Sequence, residues 1–93
     1  MIRSFADRDT ERVWRREPAK RLDPRLHKTA NRKLHLLDAA MTLNALRVPP
    51  GNRLEALKGD RAGQHSIRIN DQWRICFRWT DAGAEDVEIT DYH

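Results

Sequence analysis

The chain of 93 residues holds one cysteine, Cys76. A single thiol excludes an internal disulfide and a cysteine-based zinc site, and it suits a reducing compartment. His27, His35 and His65 have no ligand spacing with one another or with Cys76, so neither a metal nor a cofactor is expected. Glycine is scarce, with four residues, and none builds a phosphate-binding loop. No serine sits in a nucleophile motif. No apolar run approaches the roughly 20 residues of a membrane span, and the start, Met1-Ile2-Arg3-Ser4-Phe5, lacks the apolar core of a signal peptide. A cytoplasmic protein with no membrane contact is expected. There is no internal repeat, low-complexity tract or linker, and the length fits one small domain, 1–93.

Charge is abundant and uneven. The net charge is +4. Residues 1–53 hold 13 Lys/Arg against 6 Asp/Glu, and residues 54–93 hold 5 against 8, giving balances of +7 and −3. A basic half points to a polyanionic partner, nucleic acid first and an acidic protein second.

The order of elements predicts an α+β fold. Met1 to Phe5 alternates weakly, as an opening strand would. Asp9 or Thr10 caps a short helix to about Arg16, and Pro18 ends it. Asp23-Pro24 is a strong start signal for a second helix running to about Leu43, because proline at the first helical position sacrifices no hydrogen bond. Leu26, Ala30, Leu34, Leu37 and Met41 form its apolar stripe, while Arg25, Lys28 and Arg32 recur on another face. Pro49-Pro50-Gly51 breaks the pattern. Leu54 and Leu57 then flank a short extended segment, and Gly59 to Gly63 reads as a loop. His65, Ile67 and Ile69 alternate as a strand, Asn70-Asp71 turns, and Trp73 to Trp79 is the clearest strand. Asp81-Ala82-Gly83 turns again before a last strand from Val87 to Tyr92. Short turns imply an antiparallel meander of about four to five strands, with two N-terminal helices packed on one face.

In the Trp73–Trp79 strand the odd-numbered side chains must face the helices. Arg74 and Arg78 then point to the other, open face with Arg68, as a cationic patch able to hold phosphate, a task suited to the bidentate guanidinium fork. The chain ends Asp91-Tyr92-His93. An imidazole titrates near neutrality and can serve as acid or base. Asp91 can orient it, and Tyr92 can stack on a base. Alternation puts Asp91 and His93 in step with Val87 and Ile89, so a twist or bend must bring His93 to the arginine face. A basic face over residues 12–33, comprising Arg12, Arg15, Arg16, Lys20, Arg21, Arg25, Lys28 and Arg32, can track a phosphate backbone.

With these segments in hand, the chain resembles the HigB-type host-inhibition toxins of the RelE/ParE superfamily. The resemblance covers nearly the whole chain. It runs through Met1 to Phe5, Lys33 to Ala40, Pro50 to Gly63 (with Leu57-Lys58-Gly59-Asp60-Arg61), Ser66 to Asn70, Gln72-Trp73-Arg74-Ile75 and the terminal Asp91-Tyr92-His93. It implies a RelE-like fold and a metal-independent endoribonuclease that cuts mRNA in the ribosomal A site. It also implies a helix-turn-helix antitoxin as partner, through which alone operator DNA is reached. The family's functional lysine falls on Lys58, its phosphate-binding arginine on Arg74, and its terminal acid, tyrosine and histidine on Asp91, Tyr92 and His93. Some members have a histidine where this chain has Glu55, which removes one acid/base group. Two rival readings use the same fold: a ParE-like gyrase inhibitor, and a non-catalytic partner of a DNA-binding antitoxin.

Overall fold

In the computed structural model, which describes residues 1–91, Asp7 rather than Asp9 or Thr10 caps the first helix, α1 (Arg8–Trp14). The Asp7 carboxylate accepts from the Thr10 amide at 2.7 Å, satisfying one of the amides that a helix start leaves unpaired. This frees Thr10 for a tertiary role: it is buried, and its Oγ1 accepts from the Ile89 amide at 2.9 Å. The helix closes at Trp14, and Arg16 takes a left-handed φ of 61°.

The second helix, α2 (Pro24–Ala39), begins as the sequence predicts, with the Asp23 side chain accepting from the Arg25 amide at 2.8 Å. It ends four residues before Leu43. Asp38 turns its carboxylate to the Ile2 amide at 2.8 Å, and Thr42 caps a separate 3-10 turn, Leu43–Arg47. Leu26, Ala30, Leu34 and Leu37 are buried in the core, but Met41 is 90% exposed and leaves the stripe. Two more 3-10 turns follow, Pro50–Asn52 and Gly59–Arg61.

The four strands are β1 (Glu55–Ala56), β2 (His65–Arg68), β3 (Arg74–Thr80) and β4 (Gly83–Thr90), antiparallel in the order β1-β2-β3-β4. The opening segment adds only two isolated parallel bridges to β4, Ile2 with Ala84 and Phe5 with Val87. β4 starts earlier than alternation predicts because of a bulge. Asp86, at φ 53°, is the extra residue, and its amide donates to Ser4 Oγ at 2.9 Å. The bulge switches parity, so Ala84 and then Val87 and Ile89 all point into the core. At the turn before it, a side chain on Gly83 would meet the Met1 carbonyl oxygen at 2.1 Å, and its φ is 131°; glycine alone fits.

Ile67, Ile75, Phe77, Val87 and Ile89 meet Val13, Leu26, Ala30, Leu34 and Leu37 in one core between helices and sheet. Trp73 and Trp79 pack against its edge. A polar strut joins α2 to the connecting segment: Lys33, 8% exposed, donates to Asn52 Oδ1 at 2.5 Å. The fully buried Asn52 amide donates in turn to the Leu46 and Val48 carbonyls at 3.1 and 3.3 Å. No helix among the described residues is long and apolar enough to cross a membrane.

Candidate functional site

Sheet register gathers three of the candidate residues, Arg68, Arg74 and Asp91, at one end of the helix-free face. Arg68 stands directly opposite Arg74, and Arg74 opposite Thr90, so Asp91 follows one residue beyond that row. The turn between β2 and β3 closes the same end. It is folded by Asn70 Oδ1, which accepts from the Gln72 and Trp73 amides at 2.9 and 2.8 Å, as asparagine in turns commonly does. The turn then holds the site. Arg74 Nη1 donates to the Asn70 carbonyl at 2.6 Å and to the Trp73 carbonyl at 3.2 Å. Gln72 Nε2 donates to Asp91 Oδ2 at 2.9 Å. Asp71 pairs with Arg68 Nη2. The Arg68 guanidinium, with help from Arg53 and Arg74, holds the Asp71 carboxyl below the usual carboxylate range.

Tyr92 and His93 lie outside the described residues. Lys58 is exposed and follows β1 at the opposite end of the sheet. Ala56 is already level with His65 and Phe77, three rows or about 10 Å along the strands from Arg74. Arg78 is also displaced, four residues along β3 and therefore about 13 Å from Arg74; its Nε faces Asp86 at 3.6 Å.

The middle of the face is covered rather than open. Cys76 and Ser66, adjacent in the register, are both buried. The loop carrying Gly59–Arg61 folds back, and Arg61 Nη1 donates to Glu88 Oε1 and to Gln64 Oε1, each at 3.1 Å. Glu88 is level with Cys76. Burial pushes the Cys76 thiol up to about 11. The face is thus divided, with the Arg68–Arg74–Asp91 end separated from Arg78 by the Arg61 cover. Sequence reading missed Gln72, Asp71, Arg53 and Arg61 as individual contributors.

The basic face over residues 12–33 also divides. Arg12 pairs with Asp9 at 3.6 Å, Arg15 with Glu11 at 2.8 Å and Arg25 with Asp23 at 2.9 Å. Arg21 lies between Asp7 and Asp9 at 3.4 and 3.7 Å and donates to the Ile89 carbonyl at 3.1 Å. The hydrogen bond from Arg25 lowers the Asp23 carboxyl. The remaining four, Arg16, Lys20, Lys28 and Arg32, are exposed. They ring a groove of about 1030 Å³ between the α1–α2 connection and α2, with Ala19 and Leu22 in its wall. Lys33, in the polar strut, sits near Arg32 and Arg68, and burial pulls its ammonium down.

Comparison with known proteins agrees with this fold. Residues 3–93 match the model of a family described as RelE-like toxin of type II toxin–antitoxin system HigB. Toxin HigB-1 of Vibrio cholerae is 41% identical over 85 residues, 90% of each chain. Endoribonuclease HigB of Proteus vulgaris is 29% identical over 97 residues, spanning 100% of both. A solved YoeB–YefM complex from Staphylococcus aureus contains a chain of the same fold, with a TM-score of 0.61 at 18% identity, covering 100% of this chain and 98% of that one.

Proposed function

The chain belongs to the RelE-like HigB toxin family of type II toxin–antitoxin systems, and on that premise we propose that it is a ribosome-dependent mRNA endoribonuclease whose reacting groups meet at the Arg74 end of the sheet. The observation that carries this reading is the register: Arg68, Arg74 and Thr90 form one row, with Asp91 next to it.

The chemistry runs as follows. The ribose 2′-hydroxyl attacks the adjacent phosphate and expels the 5′-oxygen, leaving a 2′,3′-cyclic phosphate and a 5′-hydroxyl. Arg74 donates to the phosphate oxygens as negative charge builds on the pentavalent phosphorane, and Lys58 serves as a second cation only if the loop after β1 carries it across the roughly 10 Å or more of strand that separates it from Arg74. His93 moves the proton, Asp91 orients the imidazole, and Tyr92 stacks on a base. The turn that grips Arg74 and Asp91 supports this reading, because fixed groups stabilise a transition state without reorganising. With Glu55 in place of a histidine, His93 carries more of the acid/base work.

The ribosome supplies substrate orientation, which lowers a barrier by several kcal/mol, about 7 in well-aligned cases. Docking on ribosomal RNA falls to the basic face of residues 12–33, above all to Arg16, Lys20, Lys28 and Arg32, which, unlike Arg12, Arg15, Arg21 and Arg25, form no ion pair among the described residues. Arg68 and Arg78 extend RNA contact on the sheet. The antitoxin partner is of the helix-turn-helix type and connects the pair to operator DNA. The site is the cytoplasm, where the ribosomes are.

Growth assays test the reading. Arg74→Ala and deletion of His93 each relieve growth inhibition while antitoxin binding persists. Full toxicity in both variants overturns the proposed site. DNA breaks without mRNA cleavage in translation reactions would favour the gyrase-inhibitor reading instead.

A further inference from the structure

The β2–β3 turn engages one nitrogen of each arginine at this end of the sheet with its own oxygens. The Asp71 side chain is fully solvated, yet its carboxylate is turned onto Arg68, whose own side chain is 26% exposed. Arg68 Nε is buried without a hydrogen-bond partner. Arg74, directly across the strand pair, spends Nη1 on the Asn70 and Trp73 carbonyls. Two like charges placed opposite each other on one face of a sheet repel, and an anion beside them relieves that repulsion. Asp71 supplies it from within the chain, and Arg53 lies near enough to attract the same carboxylate.

A carboxylate and a phosphodiester present the same feature to a guanidinium, a pair of anionic oxygens that accept bidentate donation. We propose that Arg68, flanked by Arg53 and Arg74, is a phosphate subsite for the RNA strand, and that Asp71 occupies it in the free protein as an internal phosphate mimic that the RNA backbone displaces. The proposal rests on the reading that this face holds RNA. Displacement is easy because an ion pair with one fully solvated partner is weak. The released Asp71 returns to water, and the incoming phosphate takes its place on Arg68 Nη2 and relieves the Arg68–Arg74 repulsion. The consequence is a deliberately lowered affinity for free RNA, which strand presentation on a ribosome offsets.

Direct binding decides the matter without cleavage. The probe is a short single-stranded RNA with 2′-deoxy substitutions that block self-attack, titrated against the full chain over a salt series. Asp71→Asn keeps the side chain's shape and removes the competing charge. It tightens binding about fivefold or more at low salt and steepens the salt dependence by about one released counterion. Asp81→Asn, in the turn at the far end of β3, makes the same change in net charge and alters binding less than twofold. Asp71→Glu, which restores the carboxylate, binds like the parent. In an Arg68→Ala background the gain from Asp71→Asn falls to the level of Asp81→Asn. The proposal is overturned if Asp71→Asn binds no tighter than Asp81→Asn, or if its gain survives loss of Arg68. Failure of the functional reading shows up separately, as mRNA cleavage that survives Arg74→Ala.

Discussion

The Gln72 amide donates to Asp91 across 2.9 Å, tying the β2–β3 turn to the residue that follows β4. The same turn grips Arg74 through the Asn70 and Trp73 carbonyls. A turn of five residues, 69–73, therefore fixes the arginine that opens β3 and the acid that follows β4. Gln72→Ala deletes this one tie to the Asp91 carboxylate while leaving the core untouched. One such hydrogen bond to a charged group is worth about 1.5 kcal/mol or more, so ribosome-dependent cleavage falls about tenfold. The thermal midpoint, measured alongside, shifts little.

The Lys33–Asn52 strut is a stability element of a different kind. Asn52→Ala deletes two donations to backbone carbonyls and leaves a buried ammonium unpaired. The expected cost is about 3 kcal/mol, read from urea denaturation. Lys33→Met removes the charge together with the need for its partner, and it costs clearly less than Asn52→Ala.

Cys76 gives the protein an alkaline weakness. Its thiol is buried, and burial raises it from 9.0 to about 11. Between those values the folded chain keeps a proton that the unfolded chain has lost. Unfolding free energy therefore falls as pH rises through this window, with a slope of up to about 1.4 kcal/mol per pH unit. The loss is absent below pH 9. Denaturation curves of the parent steepen in their pH dependence above pH 9, and Cys76→Ala lacks this component.

Two apolar residues of one sequence stripe separate in cost. Leu34 is fully buried, and Leu34→Ala removes about 2–5 kcal/mol. Met41 is 90% exposed, and Met41→Ala changes stability by less than about 0.5 kcal/mol. Chemical denaturation of both variants checks the boundary of α2 directly.

That boundary illustrates what a sequence carries and what it does not. Periodicity found the buried stripe Leu26–Leu37 and the alternation that turns Ile75 and Phe77 inward, because both follow from a repeat that burial must respect. It ran past Ala39 because Met41 continues the spacing, while the Thr42 cap begins a new turn. The start of β4 was hidden by the Asp86 bulge, since one inserted residue reverses parity. Arg68 and Arg74 were legible as neighbours on one face. The cover over Cys76 was not, because Arg61 reaches Glu88 across 27 positions and no local pattern records such a contact. The same holds for Gln72 and Asp91, 19 positions apart. Counting basic residues also overstated the unpaired charge of residues 12–33, since Arg12, Arg15, Arg21 and Arg25 each find an acid nearby.

The most direct test of the account is mapping of mRNA 5′ ends in translation reactions with and without ribosomes, for the parent chain and for Arg74→Ala. The account predicts new internal 5′-hydroxyl ends within coding sequence only when ribosomes are present, reduced about 10²- to 10³-fold by Arg74→Ala, as for loss of a transition-state donor. Equal cleavage by the variant, or growth inhibition by the parent with no new mRNA ends, would contradict it.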